Sequence, residues 1–202
     1  MNLDKLFKIQ AELENRIIEK KGLQGQDLLD KKILALQVEL GELANEWRGF
    51  KFWSNNQVPR LRDYKQIKCK WCNGSGDDGT GVCPDCKSLG DVYKEYNPLL
   101  EEYVDCLHFI LSIGLDFGAR RLFANEVDFN IGRRTVKRNV LKTFNNVFRE
   151  IADLANVGYR NYTVLLTEFT TLGDALGFTE EQIEQAYLDK NKINHERQEN
   201  GY

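Results

Sequence analysis

The strongest constraint on the fold is a stretch of helical periodicity at residues 33–54, ILALQVELGELANEWRGFKFWS. Successive positions on an α-helix turn by about 100°, so apolar residues at spacings of three and four share one face. Here that apolar stripe consists of Ile33, Leu36, Leu40, Leu43 and Trp47. Similar periodicity at 3–21, 98–117, 135–156 and 162–176, with a total of 3 prolines, predicts a mostly helical protein.

Three glutamates lie along one edge of that stripe, again at spacings of three and four: Glu39, Glu42 and Glu46. Like charges placed in this way repel each other and destabilise an isolated helix. Either they form a solvated acidic face or their carboxylates bind a cation. The three residues by themselves do not decide between these interpretations.

The helix predicted at 98–117 is apolar on almost every side and is therefore expected at the centre of the fold. Its Glu102 and Asp105 project from an apolar face, where a carboxylate is costly unless it is paired or binds a metal. If the two helices pack together, four carboxylates converge: Glu39, Glu42, Glu102 and Asp105. Such a cluster suits Mg²⁺, which prefers oxygen ligands. Glu46 is the weaker candidate, because the second helix offers it no partner.

Two polar residues on the predicted helices have alternative explanations. Gln10 falls within the apolar stripe of the 3–21 helix, either as a hydrogen-bonded core residue or as an amide that contacts a ligand. His108 falls on the polar side of the 98–117 helix, as a surface histidine or as one that supports the site.

The C-terminal segment begins with a helix-capping signal, TEEQ at 179–182. After residue 188 the sequence becomes polar and carries Lys190, Lys192 and Arg197. These cations belong either to a frayed tail or to a segment that closes over phosphates.

The helical period disappears between residues 55 and 97, where four of the 5 cysteines form two CxxC pairs. Each pair is typical of a tight knuckle that presents two thiolates. Cys69, Cys72, Cys83 and Cys86 thus predict a structural Zn²⁺ site that leaves no coordination position open for chemistry. Free or redox-active thiols are the alternative. The pattern favours a reducing, cytoplasmic setting over a disulfide framework.

The composition indicates a globular protein with one core and a small insert, with 42% hydrophobic and 29% charged residues in 202. A net charge of -3 argues against a broad attraction to nucleic acid or to a membrane surface. The N-terminus lacks the apolar core of a signal peptide. The longest apolar run, at 106–115, is far shorter than the roughly 20 residues of a membrane span.

Three stretches together resemble a known family: ELGELANEWRGFKFWS, EEYVDCLHFILSIGL and YLDKNKINHERQENGY. They are similar to the dimeric, all-helical dUTPases within the MazG-type nucleoside triphosphate pyrophosphatases. The ExxE…ExxD pattern marks the superfamily, whereas NEWRGFKFWS and KNKINHERQENGY are more specific to dUTPase. The resemblance implies an all-α helical bundle formed by residues 1–54 and 97–202. Because ExxE and ExxD are normally separated by a shorter connection, residues 55–96 are expected to be an inserted zinc segment.

The resemblance also implies a function, the Mg²⁺-dependent hydrolysis of dUTP, and of dUDP, to dUMP, with pyrophosphate released from dUTP. The implied metal ligands are Glu39, Glu42, Glu102 and Asp105, and the implied assembly is a homodimer. The residues expected to line the nucleoside pocket are Gln10, Asn45 and Trp53. Those expected to approach the phosphates or complete the site are Lys51, Lys190, Asn194, Arg197 and Tyr202.

Two other functions remain open on the sequence. One is a pyrophosphohydrolase for another nucleoside triphosphate, such as dCTP. The other is a non-enzymatic helical module that binds nucleic acid or a regulatory partner through the cysteine segment, where Lys65, Lys68, Lys70 and Trp71 form a basic-aromatic cluster. The net charge argues against this module, and it leaves Glu102 and Asp105 unexplained.

Overall fold

The computed structural model describes residues 1–122 and 139–201. The elements follow in the order α1 (Leu3–Lys21), α2 (Leu29–Trp47), β1 (Asp63–Lys68), β2 (Asp91–Tyr96), α3 (Pro98–Asp116), a 3-10 turn (Ala119–Leu122), α4 (Val140–Val157), α5 (Tyr159–Leu176) and α6 (Glu180–Glu199). This architecture confirms the predicted all-α fold, to which the described residues add one small two-stranded sheet.

Helix α3 is the central element, and α1, α2, α5 and α6 all pack against it. It begins with Pro98 in its first turn and with Asn97 as the cap, whose side chain accepts a hydrogen bond from the N–H of Leu100. Buried side chains occur around most of its circumference, as its apolar sequence predicts. Near its end, Gly114 lets α5 approach closely, because a Cβ there would overlap the Tyr162 ring.

Helix α2 ends at Trp47, so the predicted continuation of this helix to residue 54 is wrong. Arg48 adopts a left-handed conformation with φ 63°, and its N–H bonds to the carbonyl of Ala44, which closes the last turn. The aromatic residues after Arg48 continue the spacing of an apolar helix face. That spacing led to the prediction of a longer helix. Lys51 and Trp53 therefore lie in the connection after α2.

The start of α4 also differs from its prediction at residue 135. Asn139 has an extended backbone and caps the helix, with its side chain accepting a hydrogen bond from the N–H of Lys142. Residues 135–138 lie outside the described part of the chain.

Helix α6 continues through the polar segment to Glu199, which contradicts the frayed-tail interpretation. The predicted cap is present, with reciprocal hydrogen bonds between Thr179 and Gln182. The helix is held because its polar residues face α1 and α3, where Asn191 and Gln198 are buried. Among the helices of residues 1–122 and 139–201, none has the length and apolar character needed to cross a membrane.

Candidate active site

The paired helices α2 and α3 bring three of the predicted carboxylates together. Oxygen atoms of Glu39, Glu42 and Glu102 lie within 4.8 Å of one another. Glu39 and Glu42 are one helical turn apart and therefore share a face, and Glu102 meets them from α3. Glu42 is exposed whereas Glu39 and Glu102 are half-buried, so the cluster opens to solvent on one side.

A positive charge would stabilise this cluster of carboxylates. Burial, then the nearby Asp105 and Glu42 carboxylates, raise the pKa of Glu39 to about 7. Burial, Asp105 and the two α2 glutamates likewise raise the pKa of Glu102 to about 7. Carboxylates with raised pKa values are stabilised by a proton or by a cation. The oxygen donors suit Mg²⁺, which binds carboxylates and retains waters or phosphate oxygens.

Asp105 lies beside this cluster in an ion pair with α6. Lys190 Nζ donates to Asp105 Oδ2 at 2.5 Å and to Glu101 Oε1 at 3.3 Å. Burial lowers the pKa of Lys190, but Asp105 and Glu101 outweigh that effect and raise it, so the ammonium stays charged. The fourth predicted carboxylate thus connects the acidic cluster to the predicted phosphate-binding helix.

A cavity of about 370 Å³ adjoins the carboxylates between α1, α2, α3 and α6. It is lined by four of the predicted substrate residues, Gln10, Lys190, Asn194 and Arg197, together with Glu39 and Asp105. On α6 the three substrate residues follow at spacings of four and three and so share one face. The wall of the cavity therefore contains both carboxylates and the side chains predicted to bind phosphates.

His108 also lines the cavity, and because it is 6% exposed the interpretation as a surface histidine is wrong. Its Nδ1 lies 2.8 Å from Gln10 Oε1, which also accepts a hydrogen bond from the Tyr187 hydroxyl at 2.8 Å. Because the Gln10 oxygen accepts, we assign the ring proton to Nδ1. Burial and the Lys190 charge lower the pKa of His108 to about 3, so the ring is neutral. Its Nε2 then has a lone pair, and no described residue hydrogen-bonds to it.

A second polar group at the cavity wall was not predicted from the sequence. Lys32 bonds to Glu14 and to both oxygens of Asp116, at 2.9 and 2.7 Å, while Ser112 Oγ donates to Glu14 Oε2 at 2.7 Å. Lys32 is 9% exposed, although its position next to the apolar stripe gave no sign of this. These contacts fasten α1, α2 and α3 together at the edge of the cavity.

Other predicted substrate residues do not line this cavity in the described part of the chain. Asn45 is exposed on the last turn of α2, Lys51 is half-buried after the helix, and Trp53 is 66% exposed. Tyr202 lies outside the described residues. Glu46 forms an ion pair with Arg60, which accounts for its buried charge without a metal.

The four predicted cysteines form a separate buried cluster beyond the two-stranded sheet. The Cys69 and Cys83 Sγ atoms lie 3.8 Å apart, and those of Cys72 and Cys86 lie 3.6 Å apart. Tetrahedral Zn²⁺ with bonds of 2.3 Å would separate its sulfurs by about 3.8 Å, so the donor set fits. At Cys72 burial is outweighed by the Gly76 N–H and the neighbouring thiols, which lower the pKa, whereas at Cys86 burial raises the pKa despite the Gly90 N–H.

The turns around the cysteines depend on two glycines. Gly76 and Gly90 both have φ 79° and donate their N–H groups to cysteine sulfurs, at 3.2 and 3.3 Å. A Cβ at Gly76 would lie 2.6 Å from the Ser88 carbonyl oxygen, and one at Gly90 would lie 2.7 Å from that of Gly74. Both positions therefore require glycine, and both N–H groups stabilise thiolate charge.

The helical bundle and its cavity define the class of protein as all-α, with a candidate site for a metal ion and an anion between the helices. A family model described as dUTPase matches residues 2–68 and 91–202, so the chain belongs to the dUTPase family. It is accordingly a dUTP diphosphatase, an enzyme that hydrolyses dUTP, as the resemblance predicted. This assignment favours the enzyme over the non-enzymatic module.

The matched ranges leave out residues 69–90, which contain all four clustered cysteines. Comparison with curated proteins gives no match to the chain.

Proposed function

We propose that the enzyme hydrolyses dUTP and dUDP to dUMP in a Mg²⁺-dependent reaction at the carboxylate cluster. The observation that carries this proposal is the convergence of Glu39, Glu42 and Glu102 within 4.8 Å at the edge of a cavity. These carboxylates, with Asp105 beside them, would hold the metal. Bound Mg²⁺ supplies charge to a phosphate and lowers the pKa of a coordinated water.

The phosphate chain would lie along α6. Lys190, Asn194 and Arg197 line the cavity from one face of that helix and offer two cations and an amide. Lys190 is fixed between Asp105 and Glu101, so its ammonium is oriented before substrate binds. These residues would bind and orient the phosphates next to the carboxylates.

The neutral His108 supports uracil as the preferred base. Its buried Nε2 is a hydrogen-bond acceptor for which the described residues supply no donor, and a base would reach it once the side chains that cover it move aside. Uracil presents a hydrogen-bond donor, its N3–H, to this acceptor. Cytosine instead presents an acceptor lone pair at N3, which would face the lone pair of His108 Nε2. Two facing acceptors leave both groups unpaired, which costs about 1–3 kcal/mol per buried group. The arrangement therefore favours dUTP over dCTP.

The test of this function is a substrate panel of deoxynucleoside triphosphates with and without Mg²⁺. We expect pyrophosphate release from dUTP with Mg²⁺, and a loss of about a hundredfold or more in kcat for Glu42→Gln. Glu12→Gln changes an exposed glutamate on α1 and serves as the matched control. Faster turnover of dCTP than of dUTP would contradict the base assignment, and metal-independent turnover would contradict the role of the carboxylates.

We further propose that the cysteine cluster holds one structural Zn²⁺. The four thiols are free and buried, and their separations fit a tetrahedral site. Such free thiols also support a reducing, cytoplasmic location. Elemental analysis of the purified protein should find one zinc per chain, which Cys83→Ser removes and Cys106→Ser, at the lone core cysteine, does not. Disulfides in place of bound zinc would contradict the proposal.

A homodimer is the assembly that we propose. Leu34 and Val38 lie one turn apart on α2 and are 61% and 53% exposed, which forms part of an apolar surface suited to a second copy. Light scattering should give a mass equal to two chains. The double variant Leu34→Lys, Val38→Lys should have the mass of a single chain. An unchanged dimer mass in that double variant would place the interface elsewhere.

A further inference from the structure

The strand that leads to the cysteine cluster also contacts the active-site helix. Lys65 lies on the inward-facing side of β1, and its Nζ donates to Glu101 Oε1 at 3.1 Å and Oε2 at 3.0 Å. The same ammonium lies 4.5 Å from the centre of the Tyr96 ring on β2. Lys65 is thus held by the hairpin and bound to Glu101 of α3, the residue that precedes Glu102.

Glu101 connects Lys65 with Lys190. Its Oε1 accepts from both ammonium groups, at 3.1 Å from Lys65 and 3.3 Å from Lys190. Lys190 in turn donates to Asp105 at 2.5 Å. The result is an alternating row of four charges, Lys65, Glu101, Lys190 and Asp105, that runs from the hairpin to the cavity.

The position of Lys65 depends on whether the hairpin of β1 and β2 is formed. Strands β1 and β2 pair from Asp63 with Tyr96 to Lys68 with Asp91, and the Cys69 N–H continues this pairing to Gly90 at 2.8 Å. An isolated two-stranded hairpin is only marginally stable in water. The cysteine cluster closes the far end of this hairpin, so a metal bound there would stabilise the strand that carries Lys65.

We propose that Lys65 is a positioning residue for the active site, and that the cysteine module supports dUTP hydrolysis through it. This inference rests on the proposed function of Lys190 at the phosphates. Lys65 balances the charge of Glu101, so Lys190 is shared with Asp105 at the cavity. Without Lys65, Glu101 keeps Lys190 as its one remaining cationic partner among the described residues. Lys190 is then drawn toward Glu101 and away from the substrate.

The first test compares Lys65→Met with Lys65→Arg and with Lys68→Met. Lys68 lies on the same strand but faces outward and is exposed, which makes it a matched control. We expect Lys65→Met to lower kcat/KM for dUTP about three- to tenfold, mostly through a higher KM, because Lys190 binds the phosphates of the ground state. Lys65→Arg should restore most of the loss, and Lys68→Met should match the wild type. Equal losses in Lys65→Met and Lys68→Met would overturn the proposal.

The second test asks whether zinc and Lys65 act through the same contact. The protein is stripped of metal with a chelator, dialysed, and assayed with Mg²⁺ returned but zinc withheld. Stripping should lower kcat/KM of the wild type about as much as Lys65→Met does, and should add little to that variant, because coupled changes are not additive. Additive losses would overturn the link between the module and Lys65.

A third measurement does not depend on turnover. Amide hydrogen exchange of α6 around Lys190 should increase in Lys65→Met and in the stripped wild type, but not in Lys68→Met. Unchanged exchange in Lys65→Met would refute the positioning role even if dUTP is hydrolysed. An inactive wild type with the expected exchange pattern would instead refute the proposed function and leave the contact network confirmed.

Discussion

A single nitrogen atom, Nε2 of His108, would distinguish the two pyrimidines in the proposed site. It is an acceptor because Nδ1 donates to Gln10, and because burial keeps the ring neutral. Tyr187 fixes both partners, by stacking on the His108 ring at 4.2 Å between centroids and by donating to Gln10. The proposed base selection would thus depend on residues on α1, α3 and α6.

Replacing His108 by Phe should weaken this selection. The aromatic stacking on Tyr187 is retained while both ring nitrogens are lost, so dCTP no longer meets a repelling lone pair. We expect the ratio of kcat/KM for dUTP to that for dCTP to fall about tenfold or more. His195→Phe changes the other histidine, which does not line the cavity, and should leave the ratio unchanged. An unaltered ratio in His108→Phe would place base selection elsewhere.

The carboxylate cluster gives a pH dependence of stability with a definite sign. The pKa values of Glu39 and Glu102 are raised to about 7 in the folded protein, from an ordinary value of 4.5. The folded state therefore binds more protons between these values, and its free energy of unfolding decreases as the pH rises through 7. His108 acts in the opposite sense, but below pH 6.5, where its unfolded form gains a proton.

Metal-free protein should consequently be less stable at pH 8 than at pH 6.5 in thermal unfolding. Added Mg²⁺ should recover stability at pH 8, because it binds the ionised carboxylates of the folded state. Glu102→Gln should reduce the pH dependence. If metal-free protein were more stable at pH 8, the carboxylates could not be coupled as the structure indicates.

At the scale of elements, one buried lysine fastens three helices. Lys32 on α2 binds Glu14 on α1 and Asp116 at the end of α3. Its removal leaves the half-buried Glu14 without its cation, so Lys32→Met should lower the free energy of unfolding by about 3 kcal/mol. Chemical denaturation would measure this loss against Lys31→Met, an exposed neighbour that should cost little. Adding Glu14→Gln to Lys32→Met should recover part of the lost free energy of unfolding.

The elements also show what could be predicted from the sequence. The spacing of Glu39 and Glu42, and of Glu102 and Asp105, was sufficient to predict which faces meet, because helical geometry is local. The environment of His108 was not predictable in this way, since it depends on which helices cover its side of α3. Those helices are α1 and α6, which bring Gln10 and Tyr187. The end of α2 was missed because a left-handed Arg48 leaves no mark in apolar periodicity.

At the scale of the whole molecule, the bundle and the cysteine cluster have separate cores. The buried apolar residues of the helices form one group, and the four cysteines with Val92 form another. Removal of the proposed zinc should therefore leave the far-ultraviolet circular dichroism of the bundle almost unchanged while the hairpin loses amide protection. Loss of most of the helical signal on chelation would show that the bundle depends on the metal.

The pairing of Lys68 with Asp91 brings the two ends of the unmatched segment, residues 69–90, side by side. A length of chain can enter or leave a protein at such a point without altering the register of the helices on either side. In evolutionary terms, the paired strand ends mark a position at which an insertion of this length is compatible with the fold of the family. The same geometry offers protein engineers a site for grafting a sensor domain next to the nucleotide.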